Sequence, residues 1–159
     1  SGSISMSGET AYGDYPVEAT TLMSDVMKYT ELKKDELTHH AFGPEVSAPE
    51  FALAKQIVDQ AKAEGSKAIF AAVTNDKLYE AIAAWRPSCV VVSAVSTAIS
   101  AYQLTFYYAI RPLHIEAPSI SALLAGIDAS DFAPTDKITV VSEEGGNVTF
   151  KTVAFSEVK

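Results

Sequence analysis

Runs of apolar residues alternate with amphipathic stretches along most of the chain, and this pattern predicts a series of strands and helices. Apolar side chains recur every three to four positions from Pro16 to about residue 30, and again from Pro49 to Gly65, which predicts two helices. Nearly continuous apolar runs at 67–74 and 89–96 predict buried strands. Farther along, the pattern predicts helices at 75–86, 98–109 and 118–127 and strands at 113–117, 137–143 and 147–155.

The order of these segments predicts the fold class. Strands without apolar–polar alternation are buried on both faces, and strands that alternate with helices form parallel βαβ units. Glu144-Gly145-Gly146 joins the last two strands as a hairpin turn, so the last strand is expected to run antiparallel at an edge. We therefore expect an α/β fold, a three-layer α/β/α sandwich over residues 49–159. Its sheet has five strands, mostly parallel, with an antiparallel edge strand.

The stretch between the two halves of this pattern has a different composition. Residues 31–48 are charged and polar and contain Gly43-Pro44, which is typical of a linker. The neighbouring pair His39-His40 is interpreted as solvated linker, since adjacent residues on a flexible segment rarely converge on a metal. Residues 1–30 therefore stand apart from the domain predicted at 49–159.

The charge balance and the apolar runs argue against two classes of partner. The chain has 20 acidic and 12 basic residues and a net charge of −8, so its surface repels nucleic acid. Its longest apolar run is far below the roughly 20 residues that span a membrane. The single cysteine, Cys89, excludes an internal disulfide and is interpreted as a buried strand residue, which suits a reducing, cytoplasmic location.

The chain resembles a known enzyme family. Its segment SGETAYGDYPVEA, residues 7–19, matches the SGETAxGxYPxEA signature of pyruvate kinases, which lies on the last strand and helix of their catalytic (β/α)8 barrel. AIFAAVT, Trp85-Arg86-Pro87, QLTFYYAIRPL and KITVV then follow in the order of that family's regulatory domain. The resemblance implies that residues 1–30 are a remnant of the barrel, 31–48 the linker and 49–159 the C-terminal domain.

The resemblance also implies what the parent enzyme does and what this chain lacks. Pyruvate kinases transfer a phosphoryl group from phosphoenolpyruvate to ADP in glycolysis and need magnesium and potassium. Their catalytic lysine and metal-binding carboxylates lie on earlier barrel strands, so we expect no cofactor, no metal site and no kinase activity in this chain alone. The alternative is a stand-alone, non-enzymatic module of the same fold that binds a metabolite or serves as a scaffold.

Ser7 and Glu9 are the candidates for active-site chemistry, and only in the context of an intact barrel. The resemblance places Ser7 at the substrate end of that barrel, where it could join a proton relay. The competing interpretation is structural: the hydroxyls of Ser7 and Thr10 would cap the following turn by binding backbone N–H groups.

The resemblance locates an effector pocket at two loops, which here contain Thr74, Asn75, Asp76 and Lys77 and, after the fourth domain strand, Glu144, Gly145 and Gly146. In regulated pyruvate kinases the first loop cradles a phosphate of a sugar bisphosphate. This loop lacks the family's serine and glycine, and Asp76 adds a negative charge. We therefore predict no tight binding of fructose 1,6-bisphosphate and interpret Asn75-Asp76 as a helix cap. Whether this pocket binds a different small-molecule effector is left open.

Two further features concern partners. The predicted edge strand NVTFKTVAF, 147–155, invites pairing with another copy, and the resembled family packs its regulatory domains together partly through this strand, so we expect a homo-oligomer. The aromatic run Tyr102, Phe106, Tyr107 and Tyr108 is interpreted as core and subunit contact, and His114 as a structural strand residue.

Overall fold

The computed structural model describes residues 4–33 and 49–158. These residues belong to two compact units, the first containing 4–33 and the second 49–158. The predicted linker lies largely outside the described residues, as do His39 and His40 within it.

The first unit consists of helices α1 (Gly8–Ala11) and α2 (Pro16–Leu32). Pro16 occupies the first turn of α2, where its missing N–H costs no hydrogen bond. Residues 4–7 form no strand, because a strand needs a hydrogen-bonded neighbour and residues 8–33, the rest of the described part of this unit, contain no second extended segment. Neither helix has a buried residue. The apolar side chains left exposed on α2 include Val17, Leu22, Val26 and Leu32.

The second unit contains four helices and five strands among the described residues. In chain order they are α3 (Pro49–Glu64), β1 (Ala68–Ala72), α4 (Asp76–Ala84), β2 (Val90–Val95), α5 (Ala98–Leu104), β3 (Ile110–His114), α6 (Ile120–Ala125), β4 (Lys137–Glu144) and β5 (Asn147–Ala154).

The five strands form one sheet in the order β3-β2-β1-β4-β5. The first four strands are mutually parallel, and β5 runs antiparallel to β4 at the edge. The predicted fold class is therefore confirmed. Helices connect the parallel strands because a parallel neighbour can be reached only by a crossover.

Two apolar clusters cover the two faces of the sheet. Helices α3, α4 and α5 pack on one face, where Ile57 and Ile69 are fully buried. Helix α6 packs on the other face together with Phe70, Phe132 and Phe155. Neighbouring residues of β1 thus point into different clusters, which explains its unbroken apolar sequence.

The boundaries of α5 and β3 differ from the prediction. Helix α5 ends at Leu104 instead of residue 109, because the following Thr105 and aromatic residues are weak helix formers and the chain turns there. Strand β3 begins three residues earlier than predicted and includes Pro112, which an edge strand tolerates. Tyr102 and Phe106 are 75% and 65% exposed, so the expectation that they lie in the core is wrong, whereas the expected subunit contact stays a prediction.

Cys89 lies just before β2 and is half-buried against the α3/α4 side of the core, so it is not a strand residue. Burial raises the pKa of its thiol, which keeps it protonated and poorly nucleophilic.

Two predicted chain reversals are confirmed. Gly65 follows α3 with φ of +67°, a left-handed conformation that glycine adopts without a steric penalty. Gly145 and Gly146, with φ of +58° and +81°, form the two-residue turn between β4 and β5.

No helix in the described parts of the chain is both long and apolar enough to cross a membrane.

Candidate functional site

The candidate site lies where the strand order reverses direction. The chain moves outward from β1 to β2 and β3, and then returns to place β4 on the other side of β1. In the parallel β1–β4 pair, Ala72 lies beside Ser142, so the two carboxyl ends are adjacent. Ligands of doubly wound sheets bind in the crevice at such a reversal. The two loops predicted from the sequence begin at these adjacent strand ends.

The carboxylate of Glu143 binds the first of these loops, at Thr74. The backbone N–H and the hydroxyl of Thr74 both donate to Oε2 of Glu143, each at 2.7 Å. These donors hold the pKa of Glu143 below its ordinary value, so the side chain is charged at neutral pH. The two Thr74 groups that could bind a phosphate oxygen are thus engaged by an internal anion.

Asn75 has the structural role that its sequence predicts. Its Oδ1 accepts a hydrogen bond from the Lys77 N–H at 3.1 Å, which makes it the N-cap of α4. Its Nδ2 donates to Glu50 Oε1 at 3.1 Å and connects the start of α4 to the first turn of α3. The helix-cap interpretation is therefore confirmed.

Asp76 connects α4 to α5. Its Oδ2 accepts from the hydroxyl of Ser100, which also accepts from the hydroxyl of Thr97 at 2.9 Å. Thr97 is in turn the N-cap of α5, since its Oγ1 accepts from the Ser100 N–H at 3.1 Å. The carboxylate of Asp76 therefore helps to hold two helix N-termini together.

The remaining predicted effector residues are exposed. Lys77 is exposed and forms no ion pair with a residue of the described parts. Glu144, Gly145 and Gly146 form the tip of the β4–β5 hairpin and are exposed as well. Contact between the two predicted loops therefore runs through Thr74 and Glu143.

Tyr79 stabilises the strand ends that border the crevice. Its buried hydroxyl accepts from the Val73 N–H at 3.0 Å and lies 2.9 Å from the carbonyl oxygen of Ala94, to which it can donate. Burial raises the pKa of Tyr79. The side chain thus ties the carboxyl ends of β1 and β2 together and keeps the loop that begins at Thr74 in position.

The sequence interpretation missed Tyr79 and the specific role of Glu143. Tyr79 belongs to an amphipathic helix pattern. Such a pattern predicts which side chains are buried, but not which group a buried hydroxyl binds. Glu143 lies at the end of the predicted strand 137–143, and the sequence interpretation assigned it no partner. Its position at the end of a strand parallel to β1 is the signal that could have identified it.

Ser7 and Glu9 lie in the first unit. Ser7 precedes α1 and its side chain makes no capping hydrogen bond, while Glu9 is exposed in the first turn. The hydroxyl of Thr10 donates to the Ser7 carbonyl oxygen at 3.2 Å. The expected hydroxyl caps on backbone N–H groups are therefore wrong, because the carbonyl of Ser7, not its hydroxyl, is the group used.

Within residues 4–33 and 49–158, no three His, Cys, Asp or Glu side chains are grouped closely enough to hold a metal ion. His114 lies at the end of β3, beside a surface depression of about 350 Å³ that Tyr102, Thr105 and Pro112 also line.

Comparison with known proteins gives a partial match. No protein-family model matches the chain. Over 112 residues, 70% of its length, the chain is 30% identical to the pyruvate kinase of Thermoplasma acidophilum. It spans about a fifth of that enzyme, 20% of its length. Over the matched part, this chain is thus similar to a segment of a pyruvate kinase.

Proposed function

We propose that this chain is the C-terminal part of a pyruvate kinase and serves in regulation and assembly. Residues 1–30 would belong to the end of the barrel, 31–48 to a linker and 49–159 to the regulatory domain. The observation that carries the proposal is the 30% identity to a pyruvate kinase over 112 residues. A doubly wound domain with a polar crevice at its strand reversal is compatible with a regulatory role.

The gene tests this assignment directly. If the proposal is right, the reading frame upstream of Ser1 encodes roughly 250 residues or more of strand–helix repeats. An initiation codon immediately before Ser1, with no such repeats, would instead favour the stand-alone module.

The parent enzyme would transfer a phosphoryl group from phosphoenolpyruvate to ADP with magnesium and potassium, and this chain alone would not. Phosphoryl transfer depends on clustered cations that stabilise spread negative charge. The crevice at the strand reversal presents the carboxylates of Asp76, Glu143 and Glu144 instead. A coupled assay with the purified chain should detect no magnesium-dependent ATP formation; ATP formation above a no-protein blank would contradict this.

The same carboxylates should exclude sugar bisphosphates from the crevice. Glu143 already binds both donors of Thr74, and a phosphate would have to displace it against like charge. Calorimetric titration with fructose 1,6-bisphosphate should show no micromolar binding. The variant Glu143→Gln keeps the size of the side chain and removes its charge, so it should bind more tightly than the wild type. Micromolar affinity in the wild type would refute the exclusion.

A second candidate function is a stand-alone, non-enzymatic module that binds a small metabolite at the same crevice. The exposed Lys77 and the carboxylates of Glu143 and Glu144 offer polar groups there. A thermal-shift screen with nucleotides, sugar phosphates and amino acids separates this from a pure scaffold, because a ligand that binds only the folded state raises the Tm.

Assembly would proceed through the domain at 49–159, at its edge strand β5. Strand β5 ends the sheet and has no neighbour on its outer side among the described residues. Light scattering over a concentration series should show a dimer or a larger oligomer. A strict monomer at high concentration would contradict the proposed assembly.

A further inference from the structure

The first loop of the candidate site, residues 73–76, is held by contacts to four different elements of the domain. Each of its residues binds another element: Val73 binds α4, Thr74 binds β4, Asn75 binds α3 and Asp76 binds α5. A segment with a contact at every position has little freedom to open locally. The loop is therefore fixed in place by groups of the chain itself.

Thr74 differs from its neighbours in the kind of contact that it makes. Its backbone N–H and its hydroxyl converge on one oxygen, Oε2 of Glu143, at 2.7 Å each. Val73, by contrast, offers a single N–H to a neutral hydroxyl, and Asp76 is itself the acceptor. Paired donors that converge on one charged oxygen are the arrangement by which proteins bind carboxylates and phosphates. Thr74 is thus an oxyanion-binding residue, and its oxyanion is Glu143.

Glu143 reaches Thr74 from a fixed position in the sheet. It belongs to β4 and pairs with Val148 of β5, which packs against the apolar cluster on the α3/α4 side. Alternate residues of a strand share a face, so Glu143 lies on the same face as the fully buried Val141. The carboxylate therefore extends from an ordered strand pair to the end of the neighbouring strand.

A tethered carboxylate has two advantages over a free anion at this position. Its effective concentration at Thr74 is on the order of millimolar or higher, because the strand holds it beside its partner. A free anion would also be repelled by carboxylates of residues next to the contact, namely Asp76, Glu144 and Glu50. Both effects favour the internal anion over a dissolved one.

We propose that Glu143 is an internal ligand of the crevice. Its carboxylate takes the place that an effector phosphate would have, and it keeps the loop at 73–76 ordered. This inference rests on the proposed regulatory role of the domain, since only a regulatory domain has an effector to replace. It goes beyond the exclusion of sugar bisphosphates, because it assigns the anion-bound form of the crevice to the chain by itself. The crevice is then permanently in that form and is not switched by a ligand.

Removal of the carboxylate should make the crevice depend on added anions. In NMR spectra of the full chain, the wild-type Thr74 amide proton should resonate downfield and should not respond to acetate or inorganic phosphate. In Glu143→Ala it should shift upfield and exchange with water about fivefold faster or more. Acetate or phosphate should reverse both changes in a saturable manner, whereas chloride at the same ionic strength should not.

Two matched variants assign this response to the contact. Glu144→Ala removes the neighbouring exposed carboxylate and should leave the Thr74 amide as in the wild type. Thr74→Val in the Glu143→Ala background removes the second donor and keeps the branched shape of the side chain. It should raise the acetate concentration needed for half-saturation about fivefold or more.

The other results would each overturn the internal ligand. An unchanged Thr74 amide in Glu143→Ala would show that the carboxylate does not hold the loop. A changed amide that neither acetate nor phosphate restores would make Glu143 a structural link between β1 and β4, not the replacement of a free anion. A response of the wild-type amide to millimolar acetate or phosphate would show that the crevice is not already occupied.

These measurements fail separately from the test of the parent enzyme. The reading frame upstream of Ser1 decides whether the chain belongs to a pyruvate kinase, whereas the Thr74 amide decides whether Glu143 occupies the crevice. If the frame encodes no barrel, the anion response still reports on the contact, and its regulatory meaning is lost. If the barrel is encoded and the anion response fails, the parent assignment stands and the internal ligand is refuted.

Discussion

The N–H and hydroxyl of Thr74 converge on one carboxylate oxygen of Glu143, at 2.7 Å each, across 69 positions of sequence. The contact exists because β1 and β4 are parallel neighbours whose carboxyl ends coincide. The contact places an anion of the chain itself, the Glu143 carboxylate, in the crevice at the strand reversal. Any phosphate-bearing effector would have to compete with it.

The Thr74–Glu143 contact should make stability depend on pH. The donors of Thr74 lower the pKa of Glu143 in the folded state from its ordinary value of 4.5. The contribution of Glu143 is therefore fully present above pH 4.5 and is lost as the pH falls through the lowered folded pKa. Urea unfolding of Glu143→Gln at neutral pH should show a loss of about 0.5–1 kcal/mol, since the contact is solvent-accessible.

The Glu143→Gln variant should also lose less stability than the wild type between about pH 5 and pH 3. The matched control is Glu144→Gln, because the Glu144 side chain is exposed and binds no described residue. Identical pH profiles for Glu143→Gln and the wild type would contradict the assigned role.

Tyr79→Phe should destabilise the domain without changing its shape. The substitution removes the buried hydroxyl that accepts from the Val73 N–H and lies 2.9 Å from the Ala94 carbonyl oxygen. Leaving these buried backbone groups without partners costs about 1–3 kcal/mol. Chemical denaturation measures the change, and Tyr102→Phe at a 75% exposed position is the control that should show none. Equal effects of the two substitutions would rule out the hydroxyl as the cause.

Ser93→Ala should be neutral or stabilising. Among the described residues, the Ser93 hydroxyl is fully buried and has no hydrogen-bond partner, so its removal relieves a desolvated polar group. The comparison is Ser66→Ala, which breaks a buried 2.8 Å hydrogen bond to Thr139 and should cost about 0.5–1.5 kcal/mol. Thermal denaturation of both variants checks the contrast, and a loss of stability in Ser93→Ala would show that this hydroxyl has an ordered partner.

The β4–β5 turn should tolerate asparagine at position 145 but not alanine at position 146. Gly146 has φ of +81°, so Gly146→Ala should lower the free energy of unfolding by about 1–2 kcal/mol. Gly145 has φ of +58°, which asparagine adopts more readily than other side chains, so Gly145→Asn should be close to neutral. A hairpin that accepts alanine at Gly146 without loss would mean that the turn relaxes to another type.

Interactions between residues close in sequence determine several local features of this fold, and these features can be recognised in the sequence. Asn75 caps α4 and the Gly145–Gly146 pair forms the turn, because each effect acts within a few residues. The unbroken apolar sequence of β1 indicates that this strand is buried on both faces of the sheet. Together with the helices between the strands, it predicts a parallel sheet. The two loops of the candidate site were predicted from the resemblance to pyruvate kinases, and their role as an effector pocket stays a prediction.

Tertiary structure alone decided which groups meet at that site. Thr74 and Glu143 come together through the placement of β4 beside β1, and Tyr79 reaches the ends of two strands from a helix. Pro112 belongs to β3 because that strand is at an edge, a fact that no local pattern contains. Strand order and register set such contacts between distant residues, and these arise from packing of the whole sheet, whereas caps and turns depend on neighbours along the chain.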